Sequence, residues 1–142
     1  MVIDSSTCMA LLGHNGAGKT TLVKTLTGIH PPTAGEAFIF GLDVRQDVAQ
    51  LQKIMGVCHQ EDLLWLDLTA REHLRIYAQF KGVETVEIEE HVMSILEAVN
   101  LVEEADNQVS SYSGGMKRRL AVGIASVAAP RIIFLDEPTT GM

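Results

Sequence analysis

A chain of 142 residues, 46% of them apolar, suits one globular domain that buries about two thirds of its unfolded surface. No apolar run approaches the roughly 18 residues of a membrane span, so this segment is expected to be soluble. The formal charge of −7 argues against nucleic acid as the main partner, and the single basic cluster, Lys117-Arg118-Arg119, is too short to reverse that. The start, Met1-Val2-Ile3-Asp4, lacks the basic region of a secretory signal, and Cys8 and Cys58 both fall in apolar runs and read as reduced core thiols.

Thr7 to Leu12 is a short apolar run that predicts a buried strand. Gly13-His14-Asn15-Gly16-Ala17-Gly18-Lys19-Thr20 follows and fits G-x-x-x-x-G-K-[ST], the phosphate-binding P-loop. Its chemistry explains its residues. Triphosphate oxygens need several donors at once, so the backbone must come close; Gly13, Gly16 and Gly18 put no side chain in the way and can take positive φ. Their N–H groups and a helix N-terminus then make an anion-binding concavity. Lys19 reaches the β- and γ-phosphates, and Thr20 places its hydroxyl on Mg²⁺. Lys19 to Thr27 predicts a helix with Leu22, Val23 and Leu26 on one face, ended by Gly28.

Residues 31–35 form a turn, Glu36 to Phe40 a strand stopped by Gly41, and Asp47 caps a short helix running through Lys53. Ile54 to Cys58 is a second buried strand, leading into His59-Gln60-Glu61. Thr69-Ala70-Arg71-Glu72 has capping-box spacing and opens a helix with Leu74, Tyr77 and Phe80 on one side, stopping at Gly82. Ile88, Val92, Ile95, Leu96 and Val99 mark an amphipathic helix over Val86 to Asn100, and the glutamates around it read as a solvated face. A polar, glycine-rich stretch, Ser110 to Gly115, precedes a helix from about Met116 to Ala128, with Leu120, Ile124 and Val127 inward and Pro130 closing it. Ile132 to Leu135 is the most apolar strand and ends in Asp136-Glu137-Pro138. A strand that delivers a carboxylate at its carboxyl end is the Walker B pattern: Asp136 holds Mg²⁺, and Glu137 acts as general base or orients the attacking water. The pattern predicts an α/β P-loop core with a parallel sheet and an inserted helical subdomain over about 62–115.

The order GHNGAGKTT, then Gln60 after a strand, then YSGGMKRR, then IIFLDEPTTGM resembles the ATP-binding domain of ABC transporters from about Thr7 onward. Tyr112 opening the Ser-Gly-Gly signature, GHNGAGKTT and EDLLWLDLTAREHL look like the A subfamily, whose members are mostly lipid transporters. His59 stands where the family usually has proline, and Met116 where the signature usually has glutamine. The resemblance implies that the P-loop from Gly13 to Thr21 is the phosphate cradle, and that Thr20, Gln60 and Asp136 serve the metal. It implies Lys19, Gln60 and Glu137 as catalytic residues. Ser113, Gly114 and Gly115 would touch the γ-phosphate bound by a second ATP-binding domain in a head-to-tail pair. Cofactors would be ATP and Mg²⁺. Partners would be that second domain and the transmembrane domains, with lipid met only through the latter, at the cytoplasmic face of a membrane. The family's adenine-stacking aromatic and its γ-phosphate histidine have no counterpart here. That implies a partial domain, truncated at both ends, with little turnover alone. A soluble ABC protein acting on ribosomes or chromosomes, and a non-catalytic interaction fragment, are the alternatives.

Overall fold

The computed structural model describes residues 3–4, 7–14, 16–60 and 63–136. Two of the expected site residues, Asn15 and Glu137, lie outside them. The chain runs α1 (Lys19–Leu26), β1 (Phe38–Ile39), β2 (Leu42–Asp43), α2 (Val48–Ile54), β3 (Met55–Cys58), α3 (Ala70–Phe80), α4 (Ile88–Ala98), α5 (Gly114–Ala125) and β4 (Ile132–Leu135). A 3₁₀ turn, Val109–Ser111, leads into α5.

The strand pair that matters is β3 with β4, parallel, in the register Met55↔Ile132 to Cys58↔Leu135. Parallel strands cannot be joined by a tight turn and need a long crossover. Here that crossover contains α3, α4 and α5. Their apolar faces close on one another around Leu74, Ala78, Val92, Leu96, Leu101 and Leu120, all fully buried. Two of these helices start for a local reason. At α3 the capping box forms as the spacing predicts: Glu72 N–H donates to Thr69 Oγ1 at 3.1 Å, and Thr69 N–H donates to Glu72 Oε2 at 2.8 Å. At α5, Ser113 Oγ accepts from Met116 N–H at 3.2 Å, so the helix begins two residues before the expected Met116. It also ends early, at Ala125, with Ser126 as C-cap, and Ala128 and Ala129 at positive φ turn the chain away beyond it.

The helical layer is stapled to the strands. Lys81, just past α3, donates through Nζ to the carbonyls of Gln52 (2.8 Å) and Met55 (2.9 Å) at the end of α2. Behind β3, α5 comes so close that a Cβ on Gly56 would sit 1.8 Å from the Ala125 carbonyl oxygen, so only glycine fits there. A smaller core of Ile39, Val44, Leu51 and Met55 lies on the other side, with Leu26, Ile132 and Phe134 packed against it.

Several expectations need correction. Thr7 to Leu12 is not a strand; among the described residues β4 pairs with β3 alone, and an apolar run without a neighbouring strand to take its backbone groups stays exposed, Leu12 at 88%. Cys8 is exposed with it, while Cys58 is buried as expected. The strand expected over Glu36 to Phe40 shrinks to β1, because Phe40 and Gly41, both at positive φ, turn the chain into an antiparallel hairpin with β2. Asp47 occupies the N-cap of α2, but its carboxylate accepts from Asp43 N–H instead of capping the helix. Phe80 faces solvent, 77% exposed, because α3 packs through Leu74 and Ala78.

Candidate functional site

The P-loop residues fold as a compact turn ahead of α1. Gly16 (φ 82°) and Gly18 (φ 92°) take the left-handed conformation that a side chain would strain. Gly13 does not; what it needs is space, since a Cβ there would stand 3.2 Å from Ala17 Cβ. Ala17 N–H donates to the His14 carbonyl at 3.1 Å and closes the turn. Gly18 is the N-cap of α1, and no side chain caps this helix, so the first amides of Lys19, Thr20 and Thr21 point toward the loop side. Lys19 curls back into the loop: its Nζ donates to the carbonyls of Gly13 at 2.7 Å and His14 at 3.1 Å. An ammonium has three donors, so two hold it in place and a third is left for an anion. A positive charge and a helix N-terminus thus converge on one concavity.

The second group sits at the carboxyl ends of β3 and β4. Asp136 N–H donates to the Cys58 carbonyl at 2.9 Å, one step past the last ladder pair, and this sets Asp136 beside His59 and Gln60. Asp136 is nearly buried, Gln60 exposed. Ligands in open α/β sheets bind at this end of the strands. Arg118 of α5 binds the same place from below. Its guanidinium, 1% exposed, donates from Nη1 to the carbonyls of His59 (2.5 Å) and Gln60 (3.4 Å) and from Nη2 to the Asp136 carbonyl (2.7 Å). Sequence reading counted Arg118 only as part of a short basic cluster and missed this role. The available signal was its seven-residue spacing from Ala125: both lie on the α5 face that meets β3, while Leu120 and Gly123 lie on the face that meets α4.

Ser113, Gly114 and Gly115 form the start of α5, with Ser113 and Gly114 exposed. The described hydrogen bonds therefore gather the expected site residues into separate groups: Gly13, His14 and Lys19 in one, Gln60 and Asp136 in another, and the α5 N-terminus apart. Two cavities among the described residues, about 340 and 260 Å³, are lined by neither Lys19 nor Asp136.

The family model for the ABC transporter matches residues 1–140. The chain belongs to the ABC transporter family. Over 140 residues it is 49% identical to ABC transporter A family member 8 of Dictyostelium discoideum, covering 99% of this chain and 17% of that protein. Over 132 residues it is 48% identical to the phospholipid-transporting ATPase ABCA3 of Rattus norvegicus, covering 93% of this chain and 8% of that one. The chain thus spans a small part of the length of the curated relatives it matches. Among solved structures, the ATP-binding subunit of an ABC transporter superposes with a TM-score of 0.80 at 28% identity, over 92% of this chain and 54% of that one. A dimeric ATP-binding cassette in a post-hydrolysis state, bound to ADP and Pi, gives 0.77 at 25% identity, over 88% of this chain and 58% of its own. The A-subfamily resemblance read from the motifs and the α/β P-loop fold class therefore stand, and the chain corresponds to part of an ABC-type ATP-binding domain.

Proposed function

We propose that this chain binds MgATP and that, within an intact ABC transporter, its residues hydrolyse ATP to drive lipid across a membrane. The observation that carries this reading is Lys19, folded into the Gly13–Gly18 turn by two carbonyls with its ammonium at the N-terminus of α1. A triphosphate lying there would take amide donors from Gly16, Gly18, Lys19, Thr20 and Thr21, and the remaining Lys19 proton at its β- and γ-phosphates. Thr20, Gln60 and Asp136 would hold Mg²⁺: a hydroxyl, an amide oxygen and a carboxylate are the hard donors it prefers. Among the described residues, no three His, Cys, Asp or Glu side chains could hold a metal by themselves, which suits an ion that shares its ligands with the nucleotide. When bound, Mg²⁺ would neutralise charge on the phosphate oxygens. Glu137, next to Asp136, would accept the proton of the attacking water or orient it.

The A-subfamily relatives, one of them a phospholipid-transporting ATPase, support a lipid as the transported substrate. The dimeric neighbour supports pairing of two ATP-binding domains; in a head-to-tail pair, Ser113, Gly114 and Gly115 would meet the ATP of the second. No helix among the described residues is long and apolar enough to cross a membrane, so attachment at the cytoplasmic face would come through transmembrane domains. Residues 62–115 we read as a helical subdomain set between the Walker A and Walker B parts. The chain alone is expected to hydrolyse ATP very slowly. The test is lipid movement by the intact transporter in phospholipid vesicles: MgATP should drive it, and Lys19→Ala or Glu137→Gln should abolish it. Movement that survives both substitutions would refute the reading.

A further inference from the structure

Past the pair Cys58 and Leu135, the β3–β4 ladder has one more bond, Asp136 N–H to the Cys58 carbonyl. Beyond it, the strand ends are held by Arg118. Its planar fork serves both strands at once, through the carbonyls of His59 and Gln60 on one side and of Asp136 on the other. A guanidinium can do this rigidly; an ammonium is a single point and cannot span the same acceptors in fixed geometry. These bonds go to main-chain oxygens. Arg118 also rides on α5, five residues or about 7.5 Å along the axis from Ser113.

We propose that Arg118 is a positioning residue for the metal–nucleotide site. It fixes the main chains of Gln60 and Asp136 at the spacing that lets both side chains serve one ion, and it ties that spacing to the helix headed by Ser113. The proposal rests on the MgATP reading above and extends it to a residue that touches neither nucleotide nor metal.

The experiment is calorimetric titration of ATP into the chain, once in EDTA and once in Mg²⁺, for the wild type, Arg118→Lys, Arg118→Met and Lys19→Ala. Folding of each is checked by circular dichroism and by fluorescence of Trp65, the single tryptophan. Arg118→Lys keeps the charge and loses the fork. It should forfeit about ten-fold of the Mg²⁺-dependent gain in ATP affinity, the worth of one charge-assisted hydrogen bond, and change the affinity in EDTA by less than about two-fold. Arg118→Met should lose at least as much of the gain. Amide exchange at Asp136 in the metal-free chain should quicken in both variants, with α4 unchanged. The proposal is overturned if Arg118→Lys keeps the full Mg²⁺ gain, or if it loses affinity equally in both conditions, as a general structural defect would. Unfolding of both variants counts against it in the same way. Lys19→Ala separates the two readings: if it binds ATP as the wild type does, or if the wild type does not bind at all, the MgATP reading itself fails.

Discussion

The helical crossover and the P-loop end of the molecule are built on different principles. Between β3 and β4, the helices bury Leu74, Val92, Leu96, Leu101 and Leu120 completely, and side chains cap the N-termini of α3 and α5. In the P-loop region α1 buries no residue at all, and Met9, Leu11 and Leu12 are exposed. What shapes that end is local: two left-handed glycines, a closing amide and the Lys19 hooks. Stability therefore resides mainly in the crossover, and phosphate chemistry is placed where packing is thin and the backbone is open to an anion.

The contrast can be broken or sharpened by substitution. Leu96→Ala should cost the most, about 3 kcal/mol in urea unfolding, as a fully enclosed leucine leaves a cavity; a loss below about 1 kcal/mol would mean the crossover is not the main core. Gly56→Ala should cost about 2 kcal/mol, since its Cβ would strike the Ala125 carbonyl and push α5 off β3. Thr69→Ala, which deletes one half of the capping box, should cost about 1 kcal/mol. Lys19→Ala should leave stability within about 0.5 kcal/mol while removing ATP binding in a filter or calorimetric assay. A large loss of stability in that variant would show that the P-loop end is part of the core after all.

A pH titration probes the crossover by another route. His73 is fully buried; its Nε2 accepts from Trp65 N–H at 3.0 Å, so its Nδ1 carries the proton and donates to the Thr69 carbonyl at 2.8 Å. Burial pushes the imidazole below its ordinary value near 6.5. The folded state therefore favours the neutral ring, and the unfolded chain binds a proton more readily. The stability this contributes is complete above about 6.5 and is lost as pH falls from there through the lower folded value. Urea midpoints read by Trp65 fluorescence should drop over that range, and His73→Gln should flatten the drop.

The parts legible in the sequence were those fixed by short-range chemistry. Thr69 and Glu72 announced their capping box because the deciding atoms lie within a few residues of one another, and the apolar run Ile132 to Leu135 announced its strand, whereas the start of α5 was expected at Met116 and lies at Gly114. Thr7 to Leu12 misled, since apolar character states a wish for burial and cannot say whether a strand neighbour is there to supply it. Arg118 misled in the opposite direction. Its acceptors, His59 and Asp136, lie 59 and 18 residues away, and a helix buried on two faces hides a charge where a one-sided pattern expects solvent. In the candidate site, Lys19 and the loop glycines were readable as a motif. That Gln60 and Asp136 share one clamp was visible only once β3 and β4 were paired.

The most direct measurement is uptake of Mn²⁺, in place of Mg²⁺, by the chain with ATP, followed by electron paramagnetic resonance. The expected result is ATP-dependent Mn²⁺ binding in the wild type, loss of the metal with retention of ATP in Asp136→Asn, and loss of both in Lys19→Ala. If Asp136→Asn takes up Mn²⁺ with ATP as tightly as the wild type, the P-loop and the strand ends do not close around one metal-bound triphosphate.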